Sequence, residues 1–196
     1  VAIHHVNVRN KVVLVIGSES PWVEALLLAA GAAHVYTLEY ATIRTDHPQV
    51  TTLTPEFFLQ RVRIGKLPRF PVVVTASSVE HSGLGRYNDG LNPWGDVLAI
   101  ARAWCVSTAD ARLVIAVPTA SKFSGVEALS DAEGRRTGRD TLHWNGHRTY
   151  GPVRYPYLMT NWELDRRIVG DSRPAWGQTV YVFAKAAPTP VLHARQ

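Results

Sequence analysis

Cysteine is almost absent from this chain of 196 residues, since Cys105 is the only one. A single thiol excludes an intrachain disulfide and a zinc site built from several cysteines. Because Cys105 falls within an apolar helical pattern, we expect a buried, unreactive core residue. Long apolar runs are also missing, and none approaches the ~20 residues that a helix needs to cross a bilayer. The sequence therefore predicts no membrane span in this chain.

Concentrated charge of one sign is lacking as well. Charged residues make up 19% of the chain, the net charge is +5, and the basic residues form short clusters rather than a stripe. This distribution favours a solvated surface over a nucleic-acid-binding one. The chain begins at Val1, so we expect a processed form or a piece of a longer protein. Its length and 46% hydrophobic content predict one folded domain over residues 1–187, with a tail at 188–196.

Continuous apolar runs, mostly β-branched, alternate with helical patterns along most of the chain. Runs without polar alternation are typical of strands covered on both faces, as in parallel sheets. The sequence thus predicts a doubly wound, mostly parallel, seven-stranded α/β sheet of the Rossmann-like kind. Residues 119–143 are polar and predict an insertion or lid. The predicted strands are 11–16, 33–38, 50–53, 72–76, 112–117, 163–169 and 179–184.

Local signals place the helices between these strands. Ser20 and Pro21 predict the cap and first position of one helix, and Thr54 with Pro55 predict those of another. Asn92-Pro93 predict the start of a third helix, and a short fourth is expected within 152–162. The predicted apolar faces are Val23, Leu26, Leu27 and Ala30 on the first helix, and Val97, Ile100, Ala101 and Trp104 on the third.

A glycine turn, Gly17-Ser18, follows the first strand, and Glu39 ends the second. A glycine lets a ligand approach the backbone, and a carboxylate about 20 residues later can accept hydrogen bonds from a ribose. The spacing fits a nucleoside cofactor. However, dinucleotide binders have three glycines here and this chain has one, and Trp22 is bulky so near the turn. An ordinary turn beside a surface acid fits equally well.

The fourth strand opens into a polar, glycine-containing loop over residues 77–89. His81 can serve as a general base because its unperturbed pKa lies near neutrality. Alternatively, Glu80 and His81 cap a helix or stabilise the loop by hydrogen bonds. Ser77 and Ser78 lack the Gly-x-Ser-x-Gly elbow of a serine hydrolase.

A compact aromatic segment near residue 147 forms a third candidate. Arg148 suits a carboxylate or phosphate, and Tyr150 could pack against a sugar or base. The segment could equally buttress the edge of the sheet. His143 and His147 have the spacing of a helical metal pair, but the Asn-Gly between them argues against a helix, so metal binding by this pair is the less favoured interpretation.

Four segments resemble a known family, the domain of unknown function 268 family, which is similar in fold to class I S-adenosylmethionine-dependent methyltransferases. The segments are 77–87 (SSVEHSGLGRY), 91–96 (LNPWGD), 116–118 (AVP) and 144–151 (WNGHRTYG). The resemblance implies that S-adenosylmethionine is the cofactor, with the glycine turn at its methionine part and Glu39 at its ribose. The residues expected at the cofactor are Gly17, Ser18, Glu39 and Ser77.

The expected reaction centre contains Glu80, His81 and Arg86, with His81 as the base. Substrate-binding residues are expected to be Tyr87, Asp89, Asn145, His147, Arg148 and Tyr150. The favoured hypothesis is a methyltransferase acting on a small molecule or glycan. A cofactor-free, methyltransferase-like binding or scaffold module is the second, favoured by the single-glycine turn. The third is a metal-assisted hydrolase or transferase using Glu80, His81, Asp89 and His147.

Overall fold

A computed structural model describes residues 2–120, 138–168 and 179–188. Seven strands form one sheet in the order β3-β2-β1-β4-β5-β9-β8, and β6 and β7 form a separate hairpin. The strands are β1 Val12–Ile16, β2 His34–Leu38, β3 Val50–Leu53, β4 Phe70–Ala76, β5 Ser107–Ala116, β6 Thr141–Leu142, β7 Arg148–Thr149, β8 Trp162–Ile168 and β9 Val180–Lys185. The helices are α1 Trp22–Ala29, α2 Pro55–Arg63, α3 Gly95–Val106 and α4 Arg154–Leu158.

The sheet is parallel except at one strand. β1 pairs in parallel with β2 and β4, β2 with β3, and β4 with β5. β9 runs antiparallel to both of its neighbours, β5 and β8. This confirms the predicted doubly wound, seven-stranded, mostly parallel sheet. Since the five strands from β3 to β5 run in the same direction, their carboxyl ends meet at one edge, where ligands of such sheets bind.

Both faces of the sheet are covered, which explains the continuous apolar strands. On β1, Val13 and Val15 pack in a cluster with Leu27 of α1, whereas Leu14 and Ile16 pack in a second cluster with α2, α3 and α4. These four side chains are buried, and Val12, the first residue of β1, is half-buried. Alternate residues of one strand therefore serve two separate cores, and none of the four buried positions is left for a polar residue.

Several details of the helices differ from the sequence predictions. Pro21, not Ser20, occupies the cap position of α1, and no side chain caps that helix by a hydrogen bond. Leu26 points outward, while Glu24 is buried and accepts a hydrogen bond from Thr37 Oγ1 at 2.8 Å. The Thr37 hydroxyl on β2 thus holds the Glu24 carboxylate in the interior, although the apolar periodicity of the helix places Glu24 on the surface.

The third helix also packs differently from its predicted face. α3 begins at Gly95, and its buried residues are Asp96, Ile100, Ala103 and Val106. Ala101 is exposed, and so is Cys105, which is therefore not the core residue we expected. Tyr150 and Arg154, both distant in sequence, hold Asp96 in the interior. The buried face of α3 therefore includes Asp96 and differs from the face that apolar periodicity predicts.

The remaining predictions are met in part. Pro55 is the first residue of α2 and Thr54 its cap residue, as expected. Of the predicted insertion at 119–143, residues 121–137 lie outside the described residues, as do Val169 and residues 189–196 of the predicted tail. In the described ranges, no helix is both long and apolar enough to span a bilayer.

Candidate functional site

A cavity of about 760 Å³ lies at the carboxyl edge of the sheet, where β1, β2 and β4 end. Seven of the predicted site residues line it: Gly17, Ser18, Glu39, Ser77, His81, Tyr87 and Asp89. The other lining residues are Glu19, Ser20, Trp22, Val23, Tyr40, Ala41, Ile43, Ala76, Ser78 and Ser82. The fold therefore brings the glycine turn and the loop after β4 to one space, as their positions in the sequence predict.

Glu39 closes the turn after β1 from the neighbouring strand. The backbone amide of Ser18 donates to Glu39 Oε2 at 2.7 Å, and that of Tyr40 donates to Oε1 at 2.6 Å. The amide of Gly17 in turn donates to the carbonyl of Leu38 at 2.9 Å. The acid is thus held in a fixed orientation on the cavity wall by backbone groups, and no basic side chain among the described residues bonds to it.

Gly17 is required by its backbone conformation and by its neighbour. Its φ is +78°, and a Cβ there would lie 1.7 Å from Ser78 Oγ. Any larger residue would collide with Ser78 and would also adopt a conformation that disfavours L side chains. The turn after β1 and the loop after β4 therefore touch at this glycine.

Ser77 and Glu80 lie at the start of the loop that follows β4. Ser77 has φ +51°, which is uncommon for a residue other than glycine, and its hydroxyl donates to Glu80 Oε1 at 2.8 Å. Glu80 is only 1% exposed, and its buried Oε2 has no hydrogen-bond partner within the part of the chain that the structure describes. Burial raises the pKa of Glu80 to about 7, although contacts with Ser77 and nearby backbone amides lower it.

His81 lines the cavity, and a hydrogen bond fixes which of its two ring nitrogens carries the proton. Its Nδ1 is 2.6 Å from the carbonyl oxygen of Gly146, which can only accept, so Nδ1 carries the proton. Nε2 lies 3.9 Å from Glu80 Oε1, too far for a hydrogen bond, and is left as the acceptor of the neutral ring. Burial lowers the pKa of His81, and the charges of Arg86 and His147 lower it further.

A row of rings leads from this cavity to the β6–β7 hairpin. His81 lies edge-on to Tyr87, with centroids 5.4 Å apart, and edge-on to His147 at 6.2 Å. His147 stacks on His143 at 4.6 Å. The hairpin thus brings His147 beside the cavity, although His147 does not line it. Asn145, at the turn of the hairpin, is exposed and has φ +49°.

Arg148 and Tyr150 are buried. Their side chains contact the loop after β4 and Asp96 on α3, and they do not line the cavity. Arg148 donates to the carbonyl oxygens of Glu80 at 3.3 Å and Ser82 at 2.6 Å. The Tyr150 hydroxyl donates to Asp96 Oδ2 at 2.9 Å. These contacts match the alternative in which this segment buttresses the structure. In the described residues neither side chain reaches the cavity, so their predicted contact with substrate has no support in this geometry.

Asp96 is the centre of that support. It is fully buried at the start of α3, and Arg154 donates to its two oxygens at 2.8 and 2.5 Å. Arg148 Nε lies 3.7 Å from Asp96 Oδ2. Nearby Asp89, inside the loop itself, accepts from the backbone amides of Gly83 and Tyr87. Two carboxylates and two guanidinium groups therefore fix a loop that has little regular structure.

Two residues of the cavity wall and its support, Tyr40 and Asp96, were not among the predicted site residues. Tyr40 lines the cavity directly after Glu39, and burial raises its pKa. Its place after a strand-ending acid was the available signal. For Asp96 the available signals were an acid in the first turn of a helix and its place at the end of segment 91–96, which resembles the family. Arg86, which was singled out, is exposed, with its guanidinium 5.6 Å from the Tyr87 ring centroid.

No group of three or more histidine, cysteine, aspartate or glutamate side chains in the described ranges is arranged to hold a metal ion. Glu80, His81 and Asp89 approach one another in the loop, but the oxygens of Asp89 accept from backbone amides and His81 Nδ1 donates to a carbonyl. The metal-assisted hypothesis therefore has no geometric support.

The family model described as "Caenorhabditis protein of unknown function, DUF268" matches residues 10–128. The chain belongs to this family. Three of the four segments that suggested the resemblance, 77–87, 91–96 and 116–118, lie inside the DUF268 match, whereas 144–151 lies beyond it. The match also includes the first βαβ unit, so the family covers both sides of the cavity. No curated protein matches the chain in sequence.

Solved structures show the same fold. The Burkholderia thailandensis 1,6-didemethyltoxoflavin-N1-methyltransferase, with bound 1,6-didemethyltoxoflavin and S-adenosylhomocysteine, has a TM-score of 0.58 and 17% identity, covering 95% of this chain and 76% of its own. An S-adenosylmethionine-dependent methyltransferase from Mesorhizobium loti gives 0.57 and 11%, covering 91% and 93%. A Listeria monocytogenes protein assigned to that class gives 0.55 and 12%, covering 92% and 93%. The DUF268 chain thus has the class I methyltransferase fold.

Proposed function

We propose that this chain is an S-adenosylmethionine-dependent methyltransferase acting on a small molecule or glycan. The observation that carries the proposal is that the Gly17 turn, Glu39 and His81 line one cavity of about 760 Å³. This volume lies within the ~300–1,000 Å³ of typical ligand pockets. Solved structures of the same fold include methyltransferases of this class, one with S-adenosylhomocysteine bound. The likeness concerns the fold, so the function is argued from the site.

The residues of the cavity fit the cofactor. Each oxygen of Glu39 accepts one backbone amide, and because a carboxylate oxygen has two lone pairs, hydroxyl groups can still donate to it. Ser18 and Ser77 add hydroxyls to the same wall, and Gly17 keeps the turn without a side chain. Gly17, Ser18, Glu39 and Ser77 are therefore the proposed cofactor-binding residues.

When bound, the cofactor would supply an electrophilic methyl group to the acceptor. The chain's contribution is to position the acceptor and to take up its proton where one must leave. His81 Nε2 is the proposed base, because Nδ1 is fixed as a donor to Gly146 and burial favours the neutral ring. Tyr87 and Asp89 line the acceptor side. Glu80 acts beside the base, 3.9 Å from Nε2. Exposed Arg86 lies against the Tyr87 ring and His147 against the His81 ring, so both are proposed to contact the acceptor, together with Asn145 of the same hairpin.

Isothermal titration with S-adenosylhomocysteine tests the proposal. We expect one site per chain and a Glu39→Gln variant that binds at least about tenfold more weakly, since a hydrogen bond to a charged group is worth ~1.5–3 kcal/mol. Glu163→Gln, an exposed residue on the edge strand β8, is the matched control and should bind as the wild type does. The proposal would be contradicted if millimolar ligand produced no heat of binding and no thermal stabilisation.

A cofactor-free binding module is the second candidate, and one observation favours it. The side chain of Ser78 fills the space beside Gly17, so this glycine has a structural reason to be present without any ligand. In a module that binds no cofactor, Glu39 has no ribose to recognise. Glu39→Gln should then leave the affinity for every ligand unchanged. The titration above therefore separates the two candidates.

A further inference from the structure

The helix α2 exposes more apolar surface than a helix on the outside of a fold ordinarily does. Of its residues only Phe58 is buried. Four other apolar side chains on the helix and at its end are exposed to solvent, namely Phe57, Leu59, Val62 and Ile64, and the first and last are 58% and 57% exposed. A single exposed apolar residue is common, but several on one helix form a patch of the kind that marks an interaction site.

These apolar side chains lie on both flanks of the helix. Phe57 and Ile64 are seven positions apart and therefore lie on the same side. Leu59 and Val62 lie on the other side, where they line the space between α2 and α3. Helical periodicity of about 100° per residue places Arg63 between the two flanks, pointing outward. A partner that reaches both flanks must therefore lie across the outside of the helix and present a broad surface.

Every charged residue from position 57 to position 69 is basic. The segment reads FFLQRVRIGKLPR and contains no aspartate or glutamate. Its basic residues, all of them exposed, are Arg61, Arg63, Lys66 and Arg69. None of them belongs to an ion pair among the described residues. Exposed Arg102 of α3 lines the space beside α2 and adds a further positive charge. We call residues 57–69 together with Arg102 the α2 surface.

The α2 surface is separate from the candidate reaction cavity. None of the described residues that line the cavity of about 760 Å³ belongs to residues 57–69, and Arg102 does not line it either. A partner on the α2 surface therefore leaves the residues of that cavity free to act. The proposed methyltransferase activity gives no reason for exposed apolar and basic side chains at this place.

The combination of charge and apolar exposure identifies the partner. Nucleic acid would pair with the basic residues but would leave Phe57 and Ile64 in water. A second copy of the chain, in a two-fold contact through the same surface, would bring like charges together. An anionic lipid bilayer matches both properties, since its headgroups attract basic residues and its interfacial region takes up apolar side chains. A bilayer is also broad enough to contact both flanks of α2.

We propose that the α2 surface binds an anionic lipid bilayer, with its basic residues at the headgroups and with Phe57 and Ile64 inserted into the interfacial region. The chain then lies on the membrane through one short helix, and the apolar and electrostatic contributions act together. This inference goes beyond the proposed methyltransferase function and does not depend on it.

Sedimentation with lipid vesicles measures the binding. We expect the chain to sediment with vesicles of phosphatidylcholine that contain about one third phosphatidylserine, and not with vesicles of phosphatidylcholine alone. Raising the salt to about 0.5 M should weaken the binding at least about tenfold, because salt screens the attraction between exposed charges.

Matched variants locate the contact. Ile64→Ser should weaken binding about tenfold, whereas Leu164→Ser, at an equally exposed leucine of β8, should change it less than about twofold. Arg63→Gln should weaken binding about fivefold, the contribution of one basic residue near an anionic surface. Arg9→Gln removes the same charge from an exposed site outside the α2 surface and should have a smaller effect. All four residues are exposed, so the circular dichroism of each variant should match that of the wild type.

The proposal is wrong if the chain does not bind anionic vesicles, if it binds neutral vesicles equally well, or if Ile64→Ser and Leu164→Ser weaken binding equally. Retention by a DNA duplex without sedimentation with vesicles would assign the α2 surface to nucleic acid instead. A dimer in solution that Ile64→Ser dissociates would assign it to a second copy. Titration of S-adenosylhomocysteine tests the methyltransferase separately, so either proposal can fail without the other.

Discussion

The two sides of the candidate cavity use acidic side chains in opposite ways. On the side of β1 and β2, Glu39 lies on the cavity wall and is held by two backbone amides. On the side of the loop after β4, Glu80 and Asp96 are buried, and Asp96 is surrounded by two arginines and a tyrosine. The first side leaves lone pairs available to a ligand, whereas the second uses buried acidic groups to hold the shape of a loop. Similar residue types thus serve recognition on one side and support on the other.

Replacing Asp96 should give the largest effect, because it removes the centre of the support. Asp96→Asn leaves buried Arg148 without its carboxylate and weakens both bonds from Arg154. Breaking a buried ion pair in this way costs about 3–5 kcal/mol. Urea unfolding followed by circular dichroism measures the loss.

The control for that experiment is Asp165→Asn. Asp165 lies 3.9 Å from Arg112, and both are well exposed, so the change should cost at most about 1 kcal/mol. Equal losses in the two variants would show that the buried network does not support the loop.

Glu80 should make stability depend on pH. Burial raises its pKa from 4.5 to about 7, so the folded protein retains a proton that the unfolded chain loses. Stability is therefore fully present below about pH 4.5 and falls as the pH rises towards 7, by up to about 3 kcal/mol. Glu80→Gln should remove this decrease and make the protein more stable than the wild type at pH 8.

Unfolding free energies measured from pH 4.5 to 8 test this expectation, with Glu163→Gln on exposed β8 as the control. A wild-type profile that Glu80→Gln leaves unchanged would mean that Glu80 is ionised in its buried site throughout this range.

Gly17→Ala tests the contact between the two sides of the cavity. The new Cβ would collide with Ser78 Oγ, and alanine disfavours φ +78°. We expect a loss of about 1–3 kcal/mol. Gly90→Ala, where no atom lies within 4 Å of the added Cβ, should have a much smaller effect.

Pairing Gly17→Ala with Ser78→Gly separates the two causes, because it removes the collision and leaves the backbone strain. Thermal unfolding of the double variant should recover part of the loss. No recovery at all would indicate that backbone conformation, and not the contact with Ser78, makes glycine necessary.

The smallest expected effect concerns His81. Burial lowers its pKa, and the positive charge of Arg86 lowers it further. Arg86→Gln should therefore raise the pKa of His81, by a fraction of a unit because Arg86 is exposed and screened. A proton NMR titration of the His81 ring, referenced to the resonance of exposed His47, measures the change. A shift in the opposite direction would mean that Arg86 does not act on His81 through its charge.

Much of the fold could be predicted because it rests on local signals. The unbroken apolar character of β1 and β4 indicates strands covered on both faces, and the structure places separate clusters on the two faces of β1. Pro55 and Gly65 mark the ends of α2 as expected. The inward orientation of Glu24 and Asp96 could not be predicted, since each depends on a partner far away in sequence.

The sequence by itself determined the order of strands and helices, the carboxyl edge as the place of the site, and seven of the residues that line the cavity. Periodicity, caps and glycine turns are local properties, and parallel strands necessarily bring their ends together. Only the tertiary structure decided that Arg148 and Tyr150 support the loop and that His81 keeps Nε2 as its acceptor. These features depend on contacts between residues 50 or more positions apart in the chain, which no local pattern encodes.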